Sequence, residues 1–132
     1  MPRSVLYVTV TVLSADGGVR AAAVNAAVLA LADAGVPMRD TCCALSATLI
    51  EGQVLLDPTR AEEGKGPELT LALLPSTDTL PLVLQEGARC PADQLPALLD
   101  GAITGARMMG EWLKSAQRAK ARERSGTEAV AA

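Results

Sequence analysis

The chain has 132 residues, 49% of them hydrophobic and 20% charged, with a formal net charge of −3, the size and balance of one globular domain with one core. It contains no histidine, which excludes histidine general bases, Ser-His-Asp triads and zinc sites that need imidazole. Tyr7 and Trp112 are its only aromatic residues, too few for the base-stacking platforms of many RNA binders.

Leu, Val and Ala must therefore fill the core in closely spaced layers. Cys42, Cys43 and Cys90 are odd in number and lack CxxC spacing; strand alternation points the adjacent pair to opposite faces, and buried free thiols in a reducing compartment are expected. No signal peptide, transit sequence or apolar run of spanning length is present, so a soluble intracellular protein without membrane contact is expected.

In chain order, Ser4 to Leu13 (SVLYVTVTVL) alternates Val with Thr or Tyr and predicts a strand. It runs into Gly17-Gly18, and a helix is predicted from Val19 to Ala34, apolar nearly all round and so buried on more than one side. Asn25 in its middle must find a hydrogen-bond partner. Gly35 and Pro37 stop the helix. Thr41–Ile50 and Gln53–Leu56 read as strands joined by a Glu51-Gly52 hairpin turn.

Asp57 ends the second of these strands, and a polar loop from Pro58 to Pro67 follows. Two more strands are predicted at Glu68–Leu74 and Leu80–Gln85. From Asp93, apolar residues at three- and four-residue spacing predict a second long helix, with Pro96 in its first turn and Gly101 and Gly105 placed for close packing. The order predicts an α/β two-layer sandwich, one mixed sheet with two long helices on one face. Residues 1–124 form the domain, and 125–132 read as a frayed, disordered tail.

Three groups of residues have chemical potential. Paired glycines let backbone approach an anion, and a helix start offers unpaired N–H groups with partial positive charge, so Gly17, Gly18 and Arg20 can seat a phosphate. The same residues equally make an ordinary strand-to-helix turn. If the sheet brings Asp57 beside this turn, a carboxylate faces an anion site, with Glu62 and Glu63 within reach, an arrangement suited to phosphoryl chemistry. Asp57-Pro58 also reads as a turn initiator, and the glutamates as a solvated loop. Finally, Lys114 to Arg124 carries a local charge of +4 and leaves −7 elsewhere; Lys114, Arg118 and Lys120 can touch RNA phosphates, or form a solvated helix end.

ADGGVRAAAVNAAVLALADAGVPMRD resembles the signature of the ribonuclease PH family, in which a DGG-Thr-Arg turn is followed by an NAA-containing helix. The resemblance continues in order through CALSATLIEGQVLLDPTRAEEG and GPELTLALLP to the last helix, about residues 5 to 118. It implies a βαβα-type sandwich that assembles into six-membered rings, here the ring of the RNA exosome. The implied partners are other ring subunits of the ribonuclease PH type and RNA. The implied setting is rRNA processing and mRNA turnover in nucleus, nucleolus and cytoplasm. DGGVR, MRD and GPELTLALLP are similar to the subfamily of ribosomal-RNA-processing protein forty-one, while LLDPTRAEE, LPLVLQEG and GAITGARMMGEWL resemble that of protein forty-six, on which the balance falls.

For phosphorolytic relatives the resemblance makes Arg20 the phosphate-binding arginine and places the carboxylate pair on Asp57 and Glu63. No cofactor or resident metal is implied; inorganic phosphate would be co-substrate, with Mg as an option. Val19 stands where threonine is usual, Glu63 where a second aspartate is usual, and Pro58 stiffens the loop between. These departures imply a non-catalytic structural subunit, with a phosphate-dependent 3′–5′ exoribonuclease releasing nucleoside diphosphates as the alternative. The resemblance also makes the chain the C-terminal half of such a domain, so the Val5–Leu13 strand is expected to expose apolar surface and to make the chain poorly soluble alone.

Overall fold

The computed structural model describes residues 3–131, with side chains from Arg3 through Gly126. Six elements follow one another: α1 (Val19–Asp33), β1 (Cys43–Ile50), β2 (Gln53–Leu56), β3 (Pro67–Leu74), β4 (Thr79–Gly87) and α2 (Leu95–Ala131). The strands form one sheet in the order β2-β1-β3-β4, and all three ladders are antiparallel. β1 and β2 are closed by Glu51 and Gly52, both at positive φ (50° and 78°), the paired left-handed geometry of a two-residue hairpin. α1 ends as the sequence requires. Gly35 is at φ 72°, and the N–H groups of Gly35 and Val36 donate to the carbonyls of Ala32 and Leu31, the Schellman arrangement in which glycine avoids a Cβ clash.

β1 is central and buried from Cys43 to Leu49, so both its faces need cover. Cys43, Leu45, Ala47 and Leu49 form the main core with Leu69, Leu71, Leu73 of β3 and Leu98, Ala102, Ala106 and Leu113 of α2. The opposite face packs Ala44 and Ala72 against Ala21 of α1. The sheet thus lies between α1 and α2, where the sequence pattern placed both helices on one side. The reason is local: β1 is apolar at successive positions, and the pleat sends those side chains both ways.

Close approach of α2 depends on glycine. A Cβ on Gly101 would stand 2.9 Å from Val54 Cγ1, one on Gly105 would overlap Leu45 Cδ2, and one on Gly110 would lie 3.1 Å from Cys43 Sγ. On the other face, Asn25 closes a two-way contact with β1. Its Nδ2 donates to the Ala44 carbonyl at 2.9 Å, and its Oδ1 accepts the Ala44 N–H at 2.8 Å. The amide that needed a partner in an apolar helix finds it on the central strand and adds a polar tie to the apolar packing of α1.

Residues 4–13 depart from expectation. They form no strand, and the sheet is antiparallel rather than mixed. Their side chains are exposed, Tyr7 at 91% and Leu13 at 94%. A strand exists only where a neighbour completes its ladder, and among the described residues no strand pairs with this segment, whose residues 10–14 border α1 instead. α2 runs on past Arg124 to Ala131; the last residue of the expected tail, Ala132, lies outside the described residues. Among the described residues no helix is long and apolar enough to cross a membrane.

Candidate functional site

The glycine turn is held from two sides. Gly17 and Gly18 have φ of 90° and 60°, the left-handed region that side chains disfavour. A Cβ on Gly17 would overlap the Pro58 carbonyl oxygen and lie 2.7 Å from the Thr59 carbonyl carbon, so backbone of the polar loop rests directly on the turn. The Asp16 carboxylate strengthens this contact by accepting the Arg60 N–H at 3.3 Å. Gly18 is the N-cap of α1 and has no side chain of its own to cap the helix.

That cap comes from across the chain. Glu63 Oε1 accepts the Gly18 N–H at 2.8 Å, placing a carboxylate at the positive end of the helix, where an anion is favoured. Asp57 reaches the same turn from the end of β2. Its N–H donates to the Ser46 carbonyl at 2.8 Å, its φ is 55°, and its Oδ1 lies 2.9 Å from where a Gly18 Cβ would sit. Aspartate tolerates this backbone better than most residues. Its neighbour Glu62 turns away. It accepts the N–H and hydroxyl of Thr59 at 2.8 and 2.9 Å, bonds that pull its carboxyl below the ordinary range.

Arg20, one step into α1, forms an ion pair with Glu86 on β4. These groups surround a cavity of about 240 Å³ that Gly18, Arg20, Ser46, Thr70, Glu63, Glu68 and Glu86 line. The Ser46 and Thr70 hydroxyls bond to each other at 3.0 Å. One guanidinium therefore faces three carboxylates, and Glu68 and Glu86 are direct register partners on β3 and β4, a like-charge pairing that costs stability. Arg20 relieves it. No three His, Cys, Asp or Glu side chains among the described residues are arranged to hold a metal ion.

Gly18, Arg20 and Glu63 thus line one cavity, with Asp57 at Gly18 and Gly17 next to it, whereas Lys114, Arg118 and Lys120 line no part of it. Lys120 Nζ and Arg124 both pair with Asp33 at 3.1 Å, and the hydrogen bond from Lys120 is the main reason that the Asp33 carboxyl is lowered. Lys114 pairs with Glu111 at 3.4 Å, and Arg118 is exposed. Sequence reasoning missed Glu68 and Glu86. Their only cue was position, at the outer ends of two strands joined by a short turn.

Two family models match the chain: the 3′ exoribonuclease family, domain 1, over residues 1–37, and domain 2 of the same family over residues 40–105. The chain is 46% identical over 125 residues to the human exosome complex component RRP41, covering 94% of this chain and 51% of that protein. It is 38% identical over 115 residues to the RRP41 homolog of Arabidopsis thaliana, covering 86% and 47%. The chain spans about half the length of the curated relatives it matches.

Among solved structures, rice Rrp46 superposes with a TM-score of 0.72 at 21% identity, covering 80% of this chain and 51% of that one. The Archaeoglobus fulgidus exosome with RNA bound to its active site gives 0.58 at 22% identity, covering 75% and 44%. These two likenesses show the fold alone, and the two curated relatives named above carry the forty-one name. From the two matched domain models and the identity to these relatives, the chain belongs to the 3′ exoribonuclease family that includes ribonuclease PH.

Proposed function

We propose that the chain serves as a non-catalytic structural subunit of an RNA exosome ring, acting in 3′–5′ RNA processing and decay beside other subunits of the ribonuclease PH type. The observation that carries the non-catalytic reading is the state of the anion cradle. Glu63, the second member of the carboxylate pair, is engaged on the Gly18 N–H, and Arg20 is engaged by Glu86. A phosphate entering here meets two more carboxylates than guanidinium groups, a field that opposes an anionic nucleophile. Support for the ring role comes from the exosome names of the relatives. RNA as partner, with Lys114, Arg118 and Lys120 as phosphate contacts, belongs to this proposal, as do rRNA processing and a nuclear, nucleolar and cytoplasmic location.

The test is purification of the tagged chain from its own cells, followed by sizing and mass spectrometry. A large particle containing several ribonuclease PH-type chains is the expected result, and a clean monomer overturns the ring role. A second reading, a phosphorolytic 3′–5′ exoribonuclease with inorganic phosphate as co-substrate, is favoured by Arg20 lining the cavity beside Gly18 while Asp57 reaches Gly18 from the end of β2. The purified particle is incubated with RNA and inorganic phosphate. Release of nucleoside diphosphates that disappears in Arg20→Ala establishes this second reading; no release supports the first.

A further inference from the structure

Glu86 enters the cavity from β4 and, unlike Glu63, touches Arg20 itself. Across the ladder it stands directly opposite Glu68, whose carboxylate takes the Gly64 N–H. Neither strand needs a second acid at this register, and opposed like charges weaken a sheet. The pair with Arg20 is half-exposed, with the two side chains 57% and 43% accessible, so it is weak enough to exchange with a free oxyanion. The guanidinium fork fits a carboxylate and a phosphate by the same two-pronged geometry.

We infer that Glu86 is the affinity-setting residue of the anion cradle: its carboxylate occupies Arg20 as an internal stand-in for a phosphate oxyanion, and a phosphate binds there only by displacing it. The inference rests on the reading of Arg20 as the anion-binding residue of this turn. It assigns to Glu86 control over whether the cradle is open. Glu63 has the separate task of capping α1.

The experiment follows the Gly18 amide and Arg20 side-chain N–H signals of the full chain by NMR while inorganic phosphate is added, with a parallel titration using a short single-stranded RNA lacking a terminal phosphate. The variants are Glu86→Gln, Glu68→Gln, Arg20→Gln and the double variant Arg20→Gln with Glu86→Gln. Glu86→Gln is expected to bind inorganic phosphate about five- to tenfold more tightly than the natural chain, and the gain should vanish in the double variant. Glu68→Gln, which changes the cavity charge without freeing Arg20, should gain less.

A gain in the phosphate titration alone identifies the oxyanion as free phosphate, and a gain with RNA identifies a backbone phosphate. Equal gains from Glu86→Gln and Glu68→Gln overturn the inference in favour of a general charge effect. Arg20-dependent binding of equal strength in the natural chain and in Glu86→Gln overturns it while leaving the Arg20 reading intact. No Arg20-dependent binding in any variant overturns both. Thermal unfolding gives an independent check, because a merely structural ion pair predicts that Glu86→Gln lowers the midpoint, whereas relief of the Glu68 repulsion predicts no loss.

Discussion

Gly17 has two separate reasons to be glycine, and each can be weighed. Its φ of 90° disfavours any L side chain, and the Pro58 carbonyl occupies the space that a Cβ needs. Gly18, at φ 60°, meets only the movable end of Asp57. Gly17→Ala is therefore expected to cost about 2–4 kcal/mol and Gly18→Ala about 1 kcal/mol, read as shifts of the urea unfolding midpoint at unchanged slope. Equal costs would show that the backbone contact with the 58–60 loop contributes nothing. The sequence displayed the glycine pair but not this ranking, because what distinguishes the two positions is the arrival of a loop some 40 residues later.

At the scale of elements, connections are fixed by carboxylates as much as by apolar packing. Asp40, in the link from α1 to β1, accepts the Thr41 N–H with one oxygen and the Ser76 N–H with the other, each at 2.8 Å. This ties the link to the turn between β3 and β4. Burial pushes the Asp40 carboxyl up, but the bonds from Ser76 and Thr41, with the charge of Lys114, together outweigh it and hold it below the ordinary 3.8. A carboxyl lowered by folding stabilises the fold above its unfolded value and loses that contribution as pH falls through the folded one. Asp33 and Glu62 shift in the same direction. Thermal stability should thus decline as pH falls below about 4, and Asp40→Asn should flatten the decline; an unchanged acid profile would show that these bonds do not couple to unfolding.

Most elements were legible because their signals are local. Glu51-Gly52 demanded a hairpin, Gly35 a helix stop, Asn25 a partner, and Gly101 and Gly105 a close neighbour, and each is found where the sequence put it. What was not legible depends on pairing across distance. SVLYVTVTVL has every local mark of a strand and lacks only a neighbour, and the face that each helix takes is decided by β1 being apolar on both sides. Glu86 acquired its meaning only from the register that sets it against Glu68 and from the helix start above them.

The whole molecule combines a well-packed sheet with an uncovered leading segment. Val5, Tyr7 and Leu13 are 72%, 91% and 94% exposed, and a β-prone stretch with open backbone groups is a site of unwanted association. Val5→Lys combined with Tyr7→Lys is expected to leave the unfolding midpoint within about 0.5 kcal/mol of the natural chain while reducing light scattering at high concentration. A large fall in stability would mean that the segment packs on the body after all.

The reciprocal bond between Asn25 and Ala44 spans more than a helix and a strand. Asn25 lies in the stretch matched by the first family domain and Ala44 in the stretch matched by the second. The seam between two inherited units therefore passes through the interior of a single packed body, closed by this amide together with the packing of Ala21 and the contacts of the glycine turn. The unit that evolution carries along the sequence and the unit that water squeezes together are different here. A cut at Met38 or Arg39, between the two matches, would divide the first without necessarily dividing the second.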